Sequence, residues 1–64
     1  MQNSDRLIRF EEVSRLVGYG RSYIYKMIRE GRFPSPYKPG GISSRWSEAE
    51  VRDWVQRIKL ESSS

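Results

Sequence analysis

Between Arg21 and Arg29 the chain reads Arg-Ser-Tyr-Ile-Tyr-Lys-Met-Ile-Arg. Ser22, Lys26 and Arg29 recur at i, i+4 and i+7, which places all three on one side of a helix with Tyr23 at its flank. The chemistry open to this set is recognition. Ammonium and guanidinium groups bind phosphates, and hydroxyl groups reach both phosphates and base edges. Ser22 and Tyr23 stand near the start of the segment, where base contacts are made when such a helix docks on DNA; plain exposure is their other reading. Lys26 and Arg29 are the best candidate contacts, since basic side chains dominate phosphate binding, although a solvated helix face carries the same residues. Arg21 either meets a phosphate at the helix start or covers the helix edge. Catalytic sets are missing from the sequence. It holds no histidine and no cysteine, and neither a phosphate-binding glycine loop nor a credible carboxylate pair. No enzyme, metal or cofactor is therefore expected.

Such a face needs a scaffold, and the surrounding pattern supplies one. Val13, Leu16 and Val17 form one apolar stripe at helical spacing. Gly18-Tyr19-Gly20 breaks that helix, and a second runs from Arg21 to a left-handed C-cap at Gly31. Ile24, Met27 and Ile28 are its stripe, with Tyr25 on the border and assigned to the core. Two short helices around a glycine turn are the outline of a helix-turn-helix. Glu11 and Glu12 favour the first helix by standing at the positive end of its dipole. Upstream, Leu7-Ile8-Arg9-Phe10 fits one brief strand, and Phe10 either ends it or packs beneath the helix's first turn. From Arg32 to Trp46, three prolines and two glycines exclude a helix. Gly40-Gly41 marks a turn, and Ile42 to Trp46 returns as a strand, giving a small hairpin with Leu7 to Arg9 as neighbour. The alternative is an irregular loop anchored by Phe33 and Trp46. Ser47-Glu48-Ala49-Glu50 reads as a capping box, with Glu50 reaching back to the Ser47 amide. The third helix then runs to about Leu60, burying Val51, Trp54, Val55 and Ile58. Trp46 and Trp54 are assigned to the core. Residues 1–5 and 61–64 are expected to be flexible ends around one domain at 6–60.

A chain of 64 residues has room for one small domain. Its net charge of +4 is unevenly placed. Arg21, Lys26, Arg29, Arg32, Lys38 and Arg45 crowd residues 19–46 against Glu30 alone, whereas the flanking segments are neutral or slightly acidic. A polyanion-binding face concentrates charge in this way; a solubilising surface spreads it. The apolar runs are too short to span a bilayer, and no signal-peptide pattern opens the chain, so a cytoplasmic protein that avoids membranes is expected.

Taken together, Arg6-Leu-Ile-Arg, the run Arg21-Ser22-x-Ile24-Tyr25 to Glu30-Gly31-x-Phe33-Pro34, Gly40-Gly41, Trp46 and Trp54 resemble the AlpA family of prophage regulators. The likeness covers Arg6 to about Ile58. It implies a mainly α fold with a small β-hairpin: a winged helix-turn-helix of MerR-like or excisionase-like type, three helices plus wing. It further implies sequence-specific binding of double-stranded DNA, nucleoid association when bound, and control of prophage or genomic-island excision. The endpoint is either activation of an integrase gene or direct excisionase action. Carried over, the recognition helix is Arg21 to Glu30 and the wing is Lys38 to Arg45. The contact set becomes Arg21, Ser22, Tyr23, Lys26, Arg29, Lys38 and Arg45. Arg45 would enter the minor groove, or else stack on an aromatic neighbour. Two departures stand out: Gly20 replaces a frequent Ser N-cap, and Tyr37-Lys38-Pro39 replaces a more regular strand. A second function class is a protein-interaction module whose basic face meets an acidic partner, such as an integrase or a response regulator. No coiled-coil heptad is present, so a monomer that loads cooperatively on repeated sites is expected.

Overall fold

The computed structural model describes residues 5–63. Strand β1, Leu7–Ile8, leads directly into helix α1, Phe10–Val17. After Gly18, Tyr19 and Gly20, helix α2 spans Arg21–Arg29. A loop follows, and strand β2, Trp46–Ser47, runs straight into helix α3, Glu48–Ser62. The two strands are antiparallel, with Leu7 opposite Ser47 and Ile8 opposite Trp46. Phe10 thus opens α1; it does not extend the strand.

Both short helices stop where a glycine can take a left-handed conformation. Gly18 (φ 82°) ends α1 with its N–H on the Ser14 carbonyl at 2.8 Å, and Ser14 Oγ donates to the Tyr19 carbonyl at 2.7 Å, holding the turn. Gly31 (φ 74°) ends α2 as expected. The Gly31 N–H reaches the Ile28 carbonyl, and the Arg32 N–H reaches that of Met27, the paired bonds of a Schellman motif.

The core is Ile8, Val13, Ile24, Met27, Phe33, Trp46, Val51 and Trp54, all buried. The stripes of α1 and α2 therefore face inward, and Phe10 and Tyr25 pack at the margin. Each buried indole N–H finds a carbonyl just beyond α2. Trp54 Nε1 donates to Arg32 O at 2.8 Å, and Trp46 Nε1 to Pro34 O at 3.1 Å. Between those carbonyls Phe33 meets Trp54 edge to face, centroids 4.9 Å apart.

Four expectations change. The return strand is Trp46–Ser47, and it pairs with β1; the 37–45 loop is closed only by the bridge between Tyr37 and Arg45. Pro36 and Pro39 have no N–H for a ladder. Pro39 and Gly40 (φ 70°, ψ 1°) form the tip, closed by Gly41 N–H on Lys38 O at 2.8 Å, with the residue order of a type II turn. Second, the cap of α3 is shared differently. Ser47 Oγ accepts from the Glu50 N–H at 3.1 Å as foreseen, but the Glu50 carboxylate instead accepts from Tyr37 Oη at 2.9 Å. Third, Asp5, expected in the flexible start, completes that cap. It accepts the Ala49 N–H at 2.9 Å and the Ser47 hydroxyl at 2.7 Å, because strand pairing brings it to the start of α3. Met1 to Ser4, and Ser64 of the tail, lie outside the described residues. Fourth, Ile58 is 37% exposed. It lines an open cleft together with Met27, Phe33 and Trp54, and α3 runs on to Ser62.

Trp54→Ala should destabilise the domain by about 3–5 kcal/mol through cavity formation and an orphaned carbonyl; chemical denaturation would measure it, and a near-native midpoint would refute the packing described. Hydrogen bonds from the Ala49 amide, then from Ser47, hold the Asp5 carboxyl below its ordinary value. Arg6 and Arg52 do the same for Glu48. Both groups stabilise the fold when ionised. That contribution is present above about pH 4 and is lost as pH falls through their lowered folded values. Asp5→Asn should lower stability at neutral pH and flatten the acid limb of a stability–pH curve.

Candidate nucleic-acid interface

Helix α2 buries Ile24 and Met27 and turns Arg21, Ser22, Tyr23, Lys26 and Arg29 to solvent. Its N-cap, Gly20, is extended and offers no side-chain acceptor. The first turn of α2 therefore has no side-chain cap on its N–H groups, and an anion is favoured at that helix end. Tyr23 is braced from the turn: the rings of Tyr19 and Tyr23 meet edge to face at 4.7 Å. Tyr19 is thus part of this surface. Its position between two helix-breaking glycines is the one sequence signal that it projects from the turn.

The ion pairs explain why the surface is positive. Arg6 bonds Glu48 at 2.8 Å and Glu12 at 3.2 Å, Arg52 bonds the other Glu48 oxygen at 2.9 Å, and Arg57 lies 3.6 Å from Asp53. These carboxylates belong to α1 and α3. Among the described residues, no salt bridge engages Lys26, Arg29, Lys38 or Arg45. On the α2 side the one carboxylate, Glu30, takes Arg32 at 2.8 Å. That hydrogen bond is the main cause that lowers the Glu30 pKa and raises that of Arg32, with Tyr23 the next influence on Arg32. Exposed pairs of this kind add little stability; Lys26 and Arg29 are left without a salt bridge and feel Glu30 only through space.

The loop residues divide. Lys38 is exposed beside the tip turn, whose closing bond its carbonyl accepts. Arg45 lies partly buried at the base. Its Nη1 donates to Ser43 Oγ at 2.9 Å and to Ser44 O at 3.1 Å, an anchorage different from stacking on an aromatic ring. Arg21 covers the helix edge, its guanidinium 4.2 Å above the centroid of Phe10. Arg21 and Arg45 come together on one open cleft. Lys38 stays apart from it, and Ser22, Lys26 and Arg29 continue outward along α2.

Residues 6–60 match the family model described as prophage CP4-57 regulatory protein (AlpA). The chain belongs to the AlpA family. An uncharacterized protein, ORF88, of Enterobacteria phage P4 is 41% identical over 51 residues, a span of 80% of this chain and 58% of that protein. No solved structure matches significantly. The AlpA match takes in β1, α1, α2, the loop and most of α3, so the whole helix-turn-helix and its cap belong to the family pattern. No described helix of this AlpA-family chain is long and apolar enough to cross a membrane.

Lys26→Ala and Arg29→Ala remove exposed cations without touching the core. Each should leave the thermal melt unchanged, weaken binding to duplex DNA, and reduce the salt dependence of the affinity by about one phosphate's worth. Unchanged affinity and salt slope in both variants would exclude α2 as the reading helix.

Proposed function

We propose that this AlpA-family regulator is a sequence-specific double-stranded DNA-binding protein of a prophage or genomic island. In this reading α2 enters the major groove, with Ser22 and Tyr23 toward base edges and Lys26 and Arg29 on phosphates. The 37–45 loop acts as the wing and carries Lys38 and Arg45 to the flanking backbone or minor groove. The observation that carries the reading is the cationic face of α2, free of salt bridges among the described residues and with Arg21 sharing one cleft with Arg45 of the loop base, on a chain whose ion pairs lie on α1 and α3 and at Glu30–Arg32. Output follows from where it binds: activation at an integrase promoter, excision at an attachment site, or both. Footprinting over those two regions tests this directly. Protection of neither, together with capture of an acidic integrase or response regulator through the same face, would support the protein-interaction alternative.

A module this small covers roughly 600–1,000 Å² of interface, and non-specific binding by a basic face lies at about 10⁻⁴–10⁻⁶ M in physiological salt. Useful occupancy therefore calls for several copies. We expect a monomer in free solution that binds tandem sites cooperatively. Sedimentation of the free protein, with titration of single-site and tandem-site duplexes, measures both. A stable free dimer, or equal affinity per site on the two duplexes, would contradict it.

A further inference from the structure

Arg9, Arg21 and Arg45 come from three separate segments: the N-cap of α1, the first turn of α2 and the base of the 37–45 loop. All three line one open cleft. Among the described residues none of them forms a salt bridge with a carboxylate. Three arginines thus line the cleft against the single carboxylate of Glu11, an excess of positive charge that an anion bound among them would offset.

We propose that this cleft is a clamp for a single phosphodiester group of the DNA backbone, with Arg9 as a contact additional to the α2 and loop residues. The proposal rests on the DNA-binding reading above and deepens it.

Two of the three arginines are already held, and held by parts of the group that a phosphate does not need. The Arg21 guanidinium carbon lies over the Phe10 ring, 4.2 Å from its centroid, a contact that consumes none of its N–H donors. Arg45 commits Nη1 to Ser43 and Ser44, and its Nε–Nη2 edge remains for a second, bidentate acceptor. The floor is stiff. Phe10 stacks on Tyr25 at 6.0 Å and meets Trp46 edge to face at 5.9 Å, and Trp46 is fully buried. Little side-chain entropy is left to lose at Arg21 and Arg45 when the anion arrives. The cleft sits beside the first turn of α2, so a phosphate held there fixes the register of Ser22 and Tyr23 on the bases. Glu11 is the one carboxylate among the lining residues. It opposes the anion, which gives the proposal a test of opposite sign.

The experiment uses the full chain and the duplex defined by footprinting. Arg9→Ala should weaken binding about five- to tenfold and lower the salt slope by about one, with Arg9→Lys in between because it keeps the charge and loses the fork. Glu11→Gln should tighten binding about two- to fivefold by removing a like charge from beside the phosphate; a misfolded protein cannot produce that gain. A scan with single neutral methylphosphonates should reveal one position that weakens the wild-type complex but no longer affects Arg9→Lys or Arg9→Ala to the same extent. That position also separates a backbone phosphodiester from free phosphate, which should compete only weakly. Wild-type protein that binds and depends on Lys26, but is indifferent to Arg9, to Glu11 and to the position of the methylphosphonate, overturns the clamp alone. Wild-type protein that does not bind duplex at all overturns the DNA reading, and the clamp with it.

Discussion

The two buried indoles hold the segment on which the rest of the molecule turns. Trp54 takes the Arg32 carbonyl and Trp46 that of Pro34, at 2.8 and 3.1 Å. Phe33 is locked between these two anchored carbonyls against the ring of Trp54. A buried N–H without an acceptor is costly, so each indole demands this backbone, and the backbone leaves α2 in one direction. The Schellman turn at Gly31 serves the same end from the other side. With the exit of α2 fixed, its outward face and the base of the 37–45 loop stand in a set relation. In a domain with so small a core, this pairing of polar satisfaction and ring packing replaces the bulk that a larger protein would use.

Electrostatics is divided along the same lines. Glu12, Glu48 and Asp53 are engaged by Arg6, Arg52 and Arg57, so the α1–α3 side is nearly self-neutralised. The carboxylate at the C-cap of α2, Glu30, faces Arg32. Of the remaining cations, Arg21 is placed by the Phe10 ring and Arg45 by the Ser43 hydroxyl and the Ser44 carbonyl, partners that position a guanidinium without cancelling its charge. A surface made for solubility alone has no need of such partners.

Helices are legible in this chain because apolar residues recur at helical spacing and the stops are glycines. Gly18 and Gly31 adopt the left-handed conformation that their positions predict. The outward set Ser22, Lys26 and Arg29 follows from the same periodicity. What could not be read is what depends on distant segments meeting. The capping box was visible at Ser47, but the Asp5 contribution comes from 42 residues upstream, and Tyr37 draws Glu50 away from the foreseen partner. Ile58 keeps helical spacing with the buried stripe yet borders an open cleft beside Met27 and Phe33. Arg9 reads as an ordinary flank of a short strand, and only the convergence of α1, α2 and the loop sets it beside Arg21 and Arg45.

The antiparallel pairing of Leu7 with Ser47 also bears on how the chain assembles. Both bonded strands are two residues long, and residues 9–45 lie between them. Turns and helices between them close over short separations, whereas this clasp must overcome the entropy of a loop spanning most of the molecule. Its few backbone bonds are supplemented by Asp5 on the α3 cap and by Arg6 on Glu48. The cooperativity of folding in this domain is thereby concentrated in the residues that immediately precede the first helix. A chain shortened there would keep every residue of the helix-turn-helix and lose the bonds that join its beginning to its last helix.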